Sequence, residues 1–361
     1  MPAVNPDDAL RAAKGIADLY AEATARLLES VASRLALGVA DPSLSMDSWS
    51  LQKLAELAGL RAEAEREVAR LTGAVQTAVP EAITELHTIG ARAAQQDLGL
   101  KATWTPRTNK RAVDALARAQ LGQLDTMNAG ILRRVEDVYR GVIGEVSAPG
   151  VVLGVDTRLQ ATQRALDAFA RQGISGFRDG KGRNWEIESY AEMSTRTAAQ
   201  RAAIAGREAV YTEEGVELVI VSDSVGECAL CRPFERKLLA LGSTGMVDET
   251  VGGILVVDTL EGARQRGFQH PNCRHDIRPY VAGLTRPAPG PTADPEGEAQ
   301  RNRQRALERS KREALRMRAV AIDPEARAKA DAVIAKRNAQ LRETVTPGKR
   351  QRAREQVKRA R

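Results

Sequence analysis

The sequence predicts a mostly α-helical chain: an N-terminal helical bundle, one small α+β domain stapled by zinc, and a charged helical tail. Three observations lead there. Apolar residues recur at spacings of three and four through most of the first half, the pattern of helices that bury one stripe. The period switches to two at Val216–Val221, where Val216, Leu218 and Ile220 alternate with Glu217, Val219 and Val221, as in a strand. Finally, all three cysteines and two of the three histidines fall between Ser222 and Pro279. They form two knuckles, Cys-x2-Cys and His-x2-Cys-x-His, about forty residues apart. Composition divides the chain into a helical domain over residues 1–150, an α+β domain with the knuckles over 151–284, and a Pro-rich linker with a basic tail over 285–361.

The first helix is expected from Pro6 to Leu37, with Leu10, Ala13, Ala17, Tyr20, Thr24, Leu27 and Val31 on one seam. Asp7 and Asp8 oppose the helix dipole at its start, and Gly38 with Asp41-Pro42 ends it. A second helix starts near Asp47 or Ser48 and runs to about Gln76 on an apolar face that includes Leu51, Leu54, Leu57, Ala58, Val68, Leu71 and Val75. Pro80 is expected to stop it and to start a third helix through Ile83, Leu86 and Ile89. Around Trp104 the chain reads as a loop. Thr108 or Asn109 then caps a long helix to about Ile143 that buries Val113, Leu116, Leu121, Leu124, Met127, Ile131, Val135 and Val138. The small, glycine-rich stretch 141–155 reads as a connection.

A helix over Asp156–Gln172 and a glycine-rich loop follow. The loop GFRDGKGR lacks the preceding strand and the Gly-Lys-Ser/Thr ending of a phosphate loop, so it reads as a turn before the helix Glu186–Thr212. Strands are expected at Val216–Val221, Gly253–Val257 and Asp276–Ala282, with a short helix at Glu261–Gly267. Pro287, Pro289, Pro291 and Pro295 mark the linker, and a charged helix over Glu298–Met317 is broken from further helical pieces by Pro324 and Pro347-Gly348.

Composition narrows the function. A length of 361 residues suits two domains with extensions. Aromatics make up 3%, which leaves few surfaces for stacking single-stranded nucleic acid. An odd cysteine count beside histidines argues for thiolate ligands in a reducing compartment and against a disulfide framework. The first thirty residues carry no continuous apolar run, unlike a signal peptide. No stretch approaches the roughly twenty apolar residues of a membrane span. The expectation is a protein used in a cytoplasm, or in a particle assembled there. The net charge of +7 is uneven: from Pro291 onward about 20 Lys/Arg face about 10 Asp/Glu. A basic arm of this kind suits a polyanionic or acidic partner, or simply keeps the chain soluble.

The knuckles carry the chemistry. Structural zinc takes four N or S ligands in a tetrahedron, and Cys-x2-Cys lets one turn present two thiolates. Cys228, Cys231 and Cys273 supply three. His270 is favoured as the fourth because His270-Pro-Asn-Cys273 repeats the two-residue gap, with His275 as the alternative ligand on the same strand face as Cys273. The plain rival is three buried, reduced cysteines. A catalytic zinc would keep one position open, with Glu227 as base, but three thiolates with a histidine in reach argue for a closed site. His87 stands alone on a helix and reads as a packed histidine. A zinc-containing nuclease lacks a further histidine near a strand–helix site, a toxin-like transferase would draw on Arg196, Ser194 and Glu227 or Glu261, and a sequence-specific DNA regulator would need RPFERKLLALG as its recognition helix.

Four features together resemble a family. They are the segment WEIESYAEMSTRTAAQRAAIAGREAVYTEEGVELVIVSDS, the CALC knuckle, HPNCRHDIRPYV, and RQRALERSKREA after a Pro-rich linker. Between about Trp185 and Arg316 they look like the tailed-phage type-2 minor capsid proteins, related to the Mu F-like head morphogenesis proteins. The resemblance implies a non-enzymatic, low-copy head component near the portal. It would act in head assembly and in DNA packaging or delivery, within the virion and, during assembly, the host cytoplasm. It implies portal protein, major capsid or scaffold protein as partners. It also implies a structural metal at Cys228, Cys231, His270 and Cys273. The basic tail would add sequence-independent DNA contact, weakening as salt rises.

Overall fold

The computed structural model describes residues 6–41, 43–101, 110–147, 157–172, 177–178, 184–223, 230–242, 245–271, 273, 275–285 and 295–344. The chain is mostly helical with one small sheet, the class expected from its periodicities. It forms two compact units: residues 1–20, 71–127 and 187–295 in one, and residues 21–70, 128–186 and 296–361 in the other.

Helix α1 spans Pro6–Ala36 and buries the expected seam from Ala13 to Val31. Helix α2, Met46–Ala55, is capped by the Ser45 hydroxyl, which accepts from the Ser48 amide at 3.1 Å. Its inner face differs from the expected one. Leu51 and Leu54 are 69% and 45% exposed, whereas Trp49 and Lys53 are buried. A ten-residue helix has one inner face, and an indole removes more apolar surface from water there than a leucine does. The Lys53 ammonium reaches Glu56 Oε1 at 2.9 Å, and the Tyr139 hydroxyl donates to the Lys53 carbonyl at 3.1 Å.

Glu56 separates α2 from α3, which runs unbroken from Leu57 to Asp97. Pro80 therefore lies inside a helix, contrary to the expected break. Its missing N–H and ring clash cost about 3 kcal/mol. Leu71, Val75, Val79, Ile83 and Leu86 continue in phase through the proline and are all buried. At about 1.5–3 kcal/mol per buried side chain, that stripe outweighs the break. Gln76, the acceptor left without Pro80's amide, lies on the exposed face.

Helix α4 spans Lys110–Val146, so the residues read as a connection from Gly141 begin as helix. Gly141 has a reason to lack a side chain, since a methyl there would lie 2.7 Å from the Phe169 ring of helix α5, Arg158–Gln172. The expected loop around Trp104, the caps Thr108 and Asn109, and residues 148–156 lie outside the described residues. Within the glycine-rich turn, strands β1 (Phe177–Arg178) and β2 (Asn184–Trp185) pair antiparallel.

Helix α6, Ile187–Glu213, packs on α3 through small residues. A methyl at Gly90 would overlap the Ala203 carbonyl, and one at Gly206 would overlap the His87 carbonyl. The five-stranded sheet has the order β5-β6-β4-β3-β7, with β3 Leu218–Val221, β4 Leu238–Ala240, β5 Thr250–Val251, β6 Ile254–Thr259 and β7 Ile277–Pro279. β3 is antiparallel to β4 and β7, while β4 and β6 run parallel. Both faces of β3 are buried: Val219 and Val221 pack with Ile204, Tyr211 and Leu239, and Leu218 and Ile220 with Leu238, Val256 and Tyr280 on the other face, while Val216, expected beside Leu218 and Ile220, precedes the strand and packs against the cluster of Val219 and Val221. Helix α7, Leu260–Gln265, follows β6 directly under a Thr259 cap.

The segment RPFERKLLALG is not a helix. A single 3-10 turn, Arg232–Phe234, gives way to β4. Arg236 takes a left-handed φ of 59° that no helix accommodates, and the apolar run Leu238–Ala240 fits between β3 and β6. A short apolar run has no period of its own to separate strand from helix.

Among its described residues the charged tail is anchored at a few positions, while much of both its helices is exposed. Helices α8, Pro295–Ala319, and α9, Pro324–Thr344, belong largely to the second unit. Arg316 is buried there, donating from Nε to the Ala170 carbonyl at 2.9 Å and from Nη2 to Glu186 at 3.0 Å. The Gln163 side-chain oxygen accepts from the Ile322 and Asp323 amides at 2.9 and 3.2 Å. The most basic stretch, KRQRAREQVKRAR, lies outside the described residues.

Candidate metal centre

The two knuckles are distant in sequence and adjacent in space because β3 and β7 are neighbours. Val221, the last residue of β3, is in register with Ile277, the first of β7. The chain leaving β3 and the chain entering β7 are therefore at the same end of the sheet. The Ser222 amide donates to the Asp276 carbonyl at 2.9 Å, and the Ser222 hydroxyl accepts from the Asp276 amide at 2.9 Å.

Cys231, Cys273 and His275 meet there, with their ligand atoms within 4.8 Å of one another. Cys231 is fully buried and caps the 3-10 turn. Cys273 is held in a turn by its amide, which donates to the His270 carbonyl at 2.9 Å. The two sulfurs are 3.7 Å apart, and Cys273 Sγ lies 3.3 Å from His275 Nδ1. Both cysteines are free thiols. A tetrahedral zinc with ordinary bond lengths would separate two sulfurs by ~3.8 Å and a sulfur from a nitrogen by ~3.6 Å. The donor set, and the two spacings given, are those of a group that could hold a metal ion.

The favoured His270 does not join this group. It is half-buried, and its Nδ1 donates to the Pro271 carbonyl at 2.7 Å. His275, the alternative, supplies the imidazole. Cys228 and Glu227 lie outside the described residues. Of the residues considered for a transferase, Ser194 accepts from Gln120 Nε2 at 3.0 Å on the buried side of α6, and Glu261 sits exposed on α7.

Electrostatics prepare the thiol for a cation. The hydrogen bond with Cys231, together with His275, outweighs burial and holds the Cys273 pKa down at about 4. Burial disfavours a charged His275, but Cys273 and Glu235 more than offset it and raise its pKa. Phe268 stands 6.0 Å from the His275 ring and 5.4 Å from Phe234, which the Arg266 guanidinium covers at 5.1 Å. Phe268 and Phe234 are both buried, and they line the inner side of the site.

Two features escaped the sequence. One is Glu235, whose carboxylate meets His275 Nε2. As part of an expected helix it looked like one charge among several, and only the strand reading of Leu238–Ala240 would have turned it inward. The other is a buried polar cluster next along the chain. The fully buried Arg207 pairs with Asp97 and lies 3.1 Å from Asp276, while the Tyr211 hydroxyl donates to Asp97 at 2.8 Å. Burial lowers the Arg207 pKa, but Asp276, Tyr211 and Asp97 together raise it further, which keeps the guanidinium charged. Burial pushes the Asp276 carboxyl up against that pull.

The family described as phage minor capsid protein 2 matches residues 4–346, and the chain belongs to it. It is a structural virion component, and membership implies contact with other virion proteins. Neither the curated proteins nor the solved structures offer a match. Among the described residues no helix is long and apolar enough to cross a membrane.

Proposed function

We propose that this protein is a low-copy head component at the portal, acting in head assembly and in packaging or delivery of the genome without catalysing a reaction. The observation that carries this reading is the family match over residues 4–346. The helical residues 1–150 would dock on portal, major capsid or scaffold protein. The basic residues after Pro291 would neutralise DNA phosphates without reading sequence, so that binding weakens steeply with salt. A structural zinc would be held by Cys231, Cys273 and His275, with Cys228 as the fourth ligand and His270 beside the site. Soft sulfur and nitrogen donors, two of the three residues buried, support that choice.

Co-sedimentation with portal-containing heads tests the role, and the expected result is a few copies per head. Absence from both purified virions and assembly intermediates would reject it. Elemental analysis of the purified protein tests the ion. One zinc per chain is expected, and a metal-free, folded protein would reject the centre while leaving the head assignment standing.

A further inference from the structure

We infer that Glu235 is the positioning residue of the metal centre: its carboxylate keeps the His275 proton on Nε2 and thereby presents Nδ1 to the ion. This rests on the zinc reading above and deepens it by naming the ligand atom and the group that selects it. A neutral imidazole has one bare nitrogen and one N–H, and only the bare nitrogen can ligate. His275 Nδ1 is 3.3 Å from the Cys273 sulfur, on the side where the ion would sit. The opposite nitrogen, Nε2, faces Glu235 Oε1. A carboxylate oxygen in this contact is the acceptor, so Nε2 carries the proton and Nδ1 is left as the ligand. The His275 and Glu235 side chains are 4% and 6% exposed, which leaves little room for water to replace the contact.

Glu235 is placed by the Cys231 turn and the end of β3, and not by the loop that carries Cys273. The Glu235 amide donates to the Arg232 carbonyl at 3.3 Å, closing the 3-10 turn. The left-handed Arg236 then turns the chain into β4, and its amide donates to the Val221 carbonyl at 3.1 Å. Glu235 is thus held between the turn that carries Cys231 and the end of β3, and the loop from Cys273 supplies the ring it orients. Such carboxylate–histidine pairs set ring orientation and raise ligand basicity, and their loss weakens metal binding about 10–100-fold.

The test uses the full-length protein with zinc. Competition against a chelator gives the affinity of wild type, Glu235→Gln and Glu235→Ala. Long-range proton–nitrogen correlation of the histidine rings gives the tautomer. We expect wild type to carry its His275 proton on Nε2, Glu235→Ala to lose about 10–100-fold in affinity and its single tautomer, and Glu235→Gln, whose side-chain oxygen can still accept, to retain most of both. Cobalt in place of zinc should show sulfur charge-transfer bands in all three variants. A wild-type His275 bound through Nε2 overturns the inference with no variant needed. So does a Glu235→Ala protein with wild-type affinity and tautomer. Wild type that binds no metal overturns the zinc reading itself, which distinguishes the two failures.

Discussion

The middle of α3 and the cysteine end of the small sheet each break a rule, and they compensate in opposite ways. In α3 a proline interrupts the helical hydrogen bonds. The cost is spread over five buried aliphatic side chains, none of them indispensable. At the sheet end, thiols, an imidazole, an arginine and three carboxylates from distant parts of the chain are buried or half-buried together. There each group depends on one or two named partners, and an apolar neighbour cannot substitute for them. Distributed burial yields graded responses to mutation, while paired polar groups yield abrupt ones.

The largest effect should follow removal of a thiolate. Cys273→Ser, or a strong chelator applied to wild type, should release the metal and unfold the sheet, since zinc sites of this size show apparent binding energies of about 10–16 kcal/mol. Far-ultraviolet circular dichroism should keep most of its helical signal while amide exchange in β3 and β7 accelerates. Unchanged exchange would erase the contrast drawn above. Next, Arg207→Met should cost about 3–5 kcal/mol in urea unfolding, because it leaves Asp97 and Asp276 buried without their cation. In α3 the sign reverses: Pro80→Ala should raise stability by about 2 kcal/mol, the relieved helix penalty less the entropy regained by the unfolded chain.

His87 gives a smaller, pH-dependent effect. It is 1% exposed and burial lowers its pKa. The unfolded chain therefore binds this proton first as pH falls through about 6.5, so the stability present above that pH is lost below it, at up to about 1.4 kcal/mol per pH unit. Between pH 7 and 5.5 wild type should lose stability relative to His87→Leu, and a pH-independent difference would show that His87 titrates alike in the folded and unfolded chain. Smallest of all, Leu51→Gln on the outward face of α2 should change stability by no more than about 0.5 kcal/mol.

Much of this was legible where a period repeats. The seam of α1 and the alternation in β3 needed only spacing, because each residue meets the same environment as the one a turn or two positions away. Spacing failed where one residue outweighed its neighbours. Trp49 turned α2 over, and the packed stripe carried α3 through Pro80. It failed again in runs too short to have a period, such as Leu238–Ala240. For the metal centre, the residue types and the convergence of Cys231 with Cys273 followed from the knuckles. The choice of imidazole did not, because the two-residue gap describes the loop, whereas the ring that reaches the sulfurs is set by the register of β7 against β3. Glu235 and Arg207 had no signal in one dimension, since their partners lie 40 and 110 residues away.

The pairing of β3 with β7 has a mechanical consequence. Cys231 and Cys273 are 42 positions apart in the chain, and β4, β5, β6 and α7 lie between them. An ion joining those sulfurs would turn this segment into a closed ring hung from the clasp. Tension entering the chain through β3 would then cross the clasp and leave through β7, and the ring would carry no load.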